Sequence, residues 1–347
     1  MEIVRAVRLD DLDQLWNLIE QSTYGLTTLQ ISKEQLADRV EVSNFAFTRK
    51  VEKAAGEPYV MVMEDIATGS LVGLSCIFGK TGGYEPFYSY RRVVETHHCE
   101  HLDMKQEVEV LMLDKLHDGP TEIGSLFLLP DFRGHGRGRL LSLSRFAFMS
   151  MYPRRFSERV IAEMRGVSSE EGESPFWNAI LQHFFGMQFP QADRLSTISK
   201  RFIEDLMPRH PIYTCLLSDE VRSVMGQVHE NTRPALAMLE SEGFTKTECI
   251  DIFDGGPQIS CKRDSIDAVK RTQVARVTQI VLVLETTPTI LSSTSGGFRA
   301  MLGSAKLVDD GFVISEIVAL TLQVKLNDEL RSTSLHPDTA SPNVLPS

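Results

Sequence analysis

No apolar run in the 347-residue sequence approaches the ~18 residues of a membrane-crossing helix, so a helical membrane protein is excluded. Cysteine is scarce. Cys76, Cys99, Cys215, Cys249 and Cys261 are odd in number, widely spaced and without a C-x-x-C pair. That excludes a disulfide framework or a zinc ribbon and suits reduced thiols in a cytoplasm. Positive charge is the minority sign, 36 Lys and Arg against 47 Asp and Glu, for a net charge of −11. Nucleic acid is therefore not expected as a general partner. The opening stretch MEIVRAVRLDDLDQLW lacks the apolar segment of a signal peptide, which also favours a cytoplasmic location. A hydrophobic content of 42% at this length supports two or three domains with sizeable cores.

What the chain does have is Thr121 to Tyr152, TEIGSLFLLPDFRGHGRGRLLSLSRFAFMSMY. The apolar run Leu126 to Leu129, stopped by Pro130, reads as a strand. A helix is expected after the turn Arg133-Gly134-His135-Gly136-Arg137-Gly138. Three of those six positions lack a side chain, so the turn amides and the helix N-terminus can approach a bound anion. Arg133, Arg137 and Arg139 add positive charge there, and the turn reads as a pyrophosphate cradle. A Walker loop would end in Gly-Lys-Ser/Thr, whereas this one runs Gly138-Arg139-Leu140. A dinucleotide fingerprint needs G-x-G-x-x-G and a later acidic residue, and neither is present. Arg133, Gly136 and Gly138 fit Q/R-x-x-G-x-G/A, so the stretch resembles the coenzyme A loop of the GNAT N-acyltransferase superfamily. A plain glycine-rich turn before a buried helix is the alternative, and the flanking strand argues against it.

The remaining elements follow the GNAT order. Ile3 to Val7 reads as a strand, and Asp10 as the cap of a helix with Leu12, Leu15, Trp16 and Ile19 on one face. Gln21 to Ile31 reads as an apolar loop, Lys33 to Val42 as a helix. Tyr59 to Glu64 and Leu71 to Phe78 read as a hairpin about Ala67-Thr68-Gly69. Arg159 to Met164 is β-rich. Ser174 to Phe189 is a helix with Pro175 in its first turn and Gly186 at its close. The same grammar returns in Met225 to Phe244, with Pro234 and Gly243. The expected fold is thus α/β (α+β), a GNAT fold that is partly duplicated. A GNAT domain spans 1–190 and a second GNAT-like half 191–264, with a long α/β insertion as the alternative to duplication. A small β-barrel-like module is expected over 265–331 and a disordered tail over 332–347.

Six stretches, in order, carry a closer likeness: GSLFL (124–128), AEMRG (162–166), SPFW (174–177), LMPRHPIY (206–213), GQVH (226–229) and DIFDGGP (251–257). With these the chain resembles the arginine N-succinyltransferase family. The resemblance implies transfer of succinyl from succinyl-CoA to the alpha-amine of L-arginine in arginine catabolism. Succinyl-CoA is then a co-substrate, and no metal or other cofactor is needed. It also implies a homo- or hetero-oligomer, and leaves ornithine as acceptor, acetyl-CoA as donor or a non-catalytic CoA-binding subunit as alternatives. By the same resemblance Leu126 contacts succinyl-CoA and His229 is the proton donor.

The residues themselves add candidates. His229 closes the run Val224 to Val228, which reads as a strand whose carboxyl end would sit where ligands gather. An ordinary imidazole pKa of about 6.5 suits either proton donation or acceptance. The Leu126 N–H is a candidate for an oxyanion hole, with Leu128 on the same strand. Arg133, Gly134, Gly136, Arg137 and Gly138 form the cradle. Arg165 is a candidate for the succinyl carboxylate, and Glu163 and Asp251 for a guanidinium. His97, His98, Cys99 and His101 invite a zinc reading but lack a paired ligand spacing, and a solvated loop is expected. His135 is expected to face solvent or the adenosine phosphates, and His210 to sit in a structural turn.

Overall fold

The computed structural model describes residues 1–22, 31–50, 53–169, 172–196 and 200–337. Most of the Gln21 to Ile31 loop and the end of the polar tail lie outside them. One open sheet of sixteen strands runs through these residues. At its centre Ser70–Phe78 lies between Pro58–Asp65 and Thr121–Leu128, antiparallel to both. The first pair is the expected hairpin, turning at Gly69 with φ of 69°, where a side chain would be strained.

Beyond Thr121–Leu128 the sheet changes sense. Arg159–Glu163 runs parallel to it but pairs only at Thr121↔Val160 and Glu122↔Ile161, after which the two strands part. Pro257–Lys262 and Thr245–Ile250 follow on the far side. A parallel pair that opens, its first strand leading into a glycine loop and helix, is the GNAT arrangement.

The helix Arg137–Met151 covers one face of this region. Its residues 140–149 are all buried, because Leu141, Phe146 and Phe148 pack on Ile123, Leu128, Val160 and Ile259 from the strands. Helices Leu12–Glu20 and Lys33–Thr48 cover the other face, over Val60, Val62, Leu74 and Cys76. Ser32 starts the second of these with a capping box: its Oγ accepts the Gln35 N–H, and Gln35 Oε1 accepts the Ser32 N–H. At the first helix the organising acid is Asp11 rather than Asp10. Its carboxylate accepts the Arg8 N–H at 2.7 Å and both terminal nitrogens of Arg5 at 2.6 and 2.8 Å.

The C-terminal β-rich segment does not close into a barrel. Arg299–Gly303 pairs with Glu2–Ala6, and the remaining C-terminal strands continue the sheet outward. An edge strand offers a row of unpaired N–H and C=O groups, and this one is paired by the chain's other end.

The two stretches with matching grammar share their caps and part company afterwards. Ser174 accepts the Trp177 N–H and Gly186 turns at φ of 63°, but a helix, Phe189–Ser196, comes next. After Gly243 (φ of 93°) the chain enters the strand Thr245–Ile250. Trp177 also anchors a separate core with Tyr90, Phe185 and Phe253.

Candidate active site

Three consecutive residues of the cradle have left-handed backbones: Gly134 (φ 97°), His135 (φ 50°) and Gly136 (φ 79°). Two glycines make that turn affordable. It delivers the chain into the helix at Arg137 with no side chain capping the first turn. A Cβ at Gly138 would meet nothing within 4 Å, so open space lies in front of the first-turn amides. The Arg137 N–H is taken by the Gly134 carbonyl at 3.1 Å, and the amides after it, the positive helix end and the open approach are a candidate anion site.

The arginines of the cradle contribute less than their number suggests. Arg137 donates through Nε to Glu2 at 2.8 Å, pinning the N-terminal strand. Arg139 reaches the buried Glu242, Ser241 and the Leu335 carbonyl. Both charges are spent inside the fold, which leaves the main chain as the candidate anion-binding element. Arg133 is exposed, with its Nε 3.4 Å from the Leu128 carbonyl, and His135 is exposed beside it.

Upstream, the strand carries a bulge. Phe127 pairs with Leu74 and Gly124 with Cys76, so Ser125 and Leu126 face the single residue Ser75. Ser125 takes a φ of 52° to allow it. A bulge takes the extra residue out of the regular ladder. On its other side Leu126 has no neighbour, because Arg159–Glu163 has already diverged. The side chains of Leu126 and Leu128 turn to the core. What the strand presents to the opening is its backbone, as expected for a pantetheine arm and an oxyanion.

His229 is not at the end of its own strand. Val224 ends the helix Asp219–Val224, and Val228 makes an isolated bridge with Gly166. The His229 N–H donates to the Arg165 carbonyl at 2.8 Å, which holds the residue just past the carboxyl end of Arg159–Glu163. So it does stand at a strand's carboxyl end, one borrowed from the splayed pair. Its Nδ1 accepts the Asn231 N–H at 3.1 Å, which leaves the proton of the neutral ring on Nε2. Partial burial and the Arg165 charge hold its pKa below the ordinary value, so the neutral ring prevails at pH 7.

A cavity of about 340 Å³ lies beside these two strands, reached by Glu122 from the paired stretch and by Glu163. Glu85, Glu122, Glu163, Asp193 and Asp251 line it, together with Arg39, Lys80 and Lys200. Lys80 is paired with Asp118. Glu163 Oε1 is buried without a hydrogen-bond partner. Burial, then the charges of Asp251 and Glu122, raise the Glu163 pKa well above the usual carboxyl range. Burial and Asp251 push Asp193 up to about 7. Carboxylates that repel one another in a shared cavity are relieved by a cation, and a planar guanidinium can engage two of them.

The DIFDGGP turn builds one wall. Asp251 Oδ1 accepts the N–H groups of Phe253 and Asp254, and Asp254 accepts those of Gly166 and Gly256. A Cβ on Gly256 would lie 2.0 Å from the Met164 carbonyl, so only glycine lets this turn close on AEMRG. Arg165, between them, donates to Ser168 Oγ at 2.9 Å, and Asp254 and Asp193 are its nearest influential charges.

Sequence reasoning missed Glu122 and Asp193 as members of this cavity. It also missed the long arm formed by Gly82–Cys99 and Met104–Asp118. His97, His98, Cys99 and His101 sit exposed at its tip. Among the described residues no three His, Cys, Asp or Glu side chains gather as a metal would require. Nor is any helix there long and apolar enough to cross a membrane.

Comparison with known proteins identifies the family. Residues 2–268 match the family model described as arginine N-succinyltransferase beta subunit. A Pseudomonas aeruginosa protein named arginine N-succinyltransferase subunit beta is 44% identical over 272 residues, covering 78% of this chain and 79% of its own. An Enterobacter protein named arginine N-succinyltransferase is 37% identical, over 97% of this chain and 99% of its own. The solved structure of arginine/ornithine succinyltransferase subunit AI from Pseudomonas aeruginosa superposes with a TM-score of 0.88 at 31% identity, covering 96% of this chain and 99% of that one. The chain is an acyltransferase and belongs to the arginine N-succinyltransferase family.

Proposed function

We propose that the chain transfers succinyl from succinyl-CoA to the alpha-amine of L-arginine, as the first step of arginine breakdown. The observation that carries the acceptor is the carboxylate-lined cavity beside the parallel pair. In this reading Glu163 and Asp251 take the guanidinium, which places the alpha-amine toward the thioester. The pyrophosphate rests on the amides of the loop Arg133 to Gly138, and the pantetheine lies along Leu126 to Leu128. The neutral amine attacks the thioester carbonyl, whose developing oxyanion is met by the Leu126 N–H. The attacking nitrogen gives up its excess proton to the neutral His229 ring, collapse of the tetrahedral intermediate breaks the C–S bond, and the imidazolium so formed donates a proton to the departing thiolate. No covalent acyl-enzyme and no metal enter this sequence; succinyl-CoA is a co-substrate. The five free cysteines support a reducing, cytoplasmic setting. Relatives named as subunits support an oligomer, homo- or heteromeric.

The test is thiol release from succinyl-CoA by the purified chain with L-arginine, L-ornithine or no acceptor, and acetyl-CoA as the parallel donor. Fast release that needs both succinyl-CoA and arginine is expected. Binding of CoA without release by either amino acid would instead indicate a chain that depends on a sister subunit.

A further inference from the structure

L-Arginine carries a carboxylate as well as a guanidinium, and a site that grips both ends fixes the α-amine beside one of them. The cavity has five carboxylate side chains for the cationic end, and three cations, Arg39, Lys80 and Lys200, for the other. Lys80 is spent on Asp118. Arg39 lies 5.9 Å over the Phe78 ring, and Glu122 is the carboxylate whose charge acts on it. Lys200 is placed differently. Burial raises the pKa values of Glu122, Glu163 and Asp251, and the Lys200 charge opposes that rise in all three, so its ammonium faces the same space. Yet among the described residues no carboxylate oxygen lies within 4.0 Å of it.

Local structure holds Lys200 at this wall. Its N–H donates to Glu85 Oε1 at 3.0 Å, and the helix Arg201–Leu206 follows at once. Glu204 of that helix accepts the Tyr88 hydroxyl and the Lys115 ammonium, each at 2.6 Å. Both donors belong to the long arm, which thereby clamps the helix. The Lys200 ammonium lies 5.8 Å over the ring of Phe87, another residue of the cavity wall. A ring face steadies the charge but takes no conventional hydrogen bond from its three donors.

We propose that Lys200 binds the α-carboxylate of the acceptor, and so selects an amino acid over the corresponding amine. The inference rests on the reading of this cavity as the acceptor site. An extended arginine holds its carboxylate about 7 Å from its guanidinium by standard bond lengths. Carboxylates for one end, and an ammonium standing apart from them in the same cavity, suit that separation. With Glu163 and Asp251 on the guanidinium and Lys200 on the carboxylate, the α-amine is positioned from both sides. Lys200 is a specificity residue and takes no part in proton transfer.

The experiment is calorimetric binding of L-arginine and of agmatine, the same molecule without its carboxylate, to the full chain and to Lys200→Gln. CoA is present and no acyl donor is, so turnover is not required. Lys200→Gln should weaken L-arginine about tenfold or more. Agmatine should bind the variant as tightly as the wild-type chain or more tightly, because a like charge has left the cavity. Lys200→Arg should keep most of the L-arginine affinity, and Lys200→Ala stands in should the glutamine chain not fold. An unchanged L-arginine affinity in the variant, or equal losses for both ligands, would overturn the proposal while leaving the cavity as the acceptor site. Failure of the wild-type chain to bind L-arginine at all would overturn both.

Discussion

The Arg165 carbonyl accepts the N–H of His229 at 2.8 Å, and this single bond ties the histidine to the strand that splays away from the bulge. Every step proposed for the reaction depends on those two strands parting where they do.

Gly138 tests the cradle against simple helix stability. It is a helical residue with open space at its Cβ position. Gly138→Ala should therefore stabilise the fold by about 0.5–1 kcal/mol, the ordinary gain for glycine to alanine in a helix. The same methyl would stand before the first-turn amides and raise KM for succinyl-CoA. Denaturant unfolding and steady-state kinetics on one preparation read both. A stability gain with unchanged KM would remove the pyrophosphate from this loop.

Glu163→Gln should separate stability from acceptor binding. A carboxyl whose folded pKa is raised destabilises the fold progressively as pH climbs above the unfolded value. The variant should melt about 2–5 °C above wild type near pH 8 and equal it near pH 4. Its KM for arginine should rise about tenfold or more. Melting curves at the two pH values check the first statement, initial rates the second.

Asp193, pushed up to about 7 by burial and Asp251, should shape the pH dependence of acceptor use. As pH falls through 7 the carboxylate is neutralised and the cavity attracts a cation less. kcat/KM for arginine at about pH 6 should lie up to about tenfold below its value at pH 8. Asp193→Asn should lower the plateau and flatten this limb. An unchanged limb in the variant would assign the titration elsewhere.

Much of this was legible in the sequence, and what was not has identifiable causes. The glycine loop, the hairpin about Gly69 and the Ser174 cap are local, each specified by a few adjacent residues. The carboxylate cavity draws Glu122, Glu163, Asp193 and Asp251 from four distant elements, and no spacing rule brings them together. In sequence Arg137 and Arg139 read as anion ligands, because their partners, Glu2 and Glu242, lie more than a hundred residues away. The arm from Gly82 to Asp118 shows both faces to solvent over much of its length, so it lacks the alternation that betrays a half-buried strand. In sequence the C-terminal strands read as a separate module, because pairing of Arg5 with Arg299 is invisible to local pattern.

Glu242 tests the link between the cradle and the C-terminal segment. It is fully buried and receives Arg271 through two bonds of 2.6 and 2.8 Å, with Arg139 at 3.4 Å. Removing one partner from a buried ion network leaves charge uncompensated. Glu242→Gln should cost about 3–5 kcal/mol in denaturant unfolding. A loss below about 1 kcal/mol would mean that the network is solvent-relaxed.

Turnover of His229→Ala, measured as arginine-dependent thiol release alongside succinyl-CoA binding, tests the account most directly. Donor affinity should stay within about twofold while turnover falls on the order of 10²–10⁴-fold. Near-normal turnover by a chain without the imidazole would contradict proton transfer by His229 at the opening of the parallel pair.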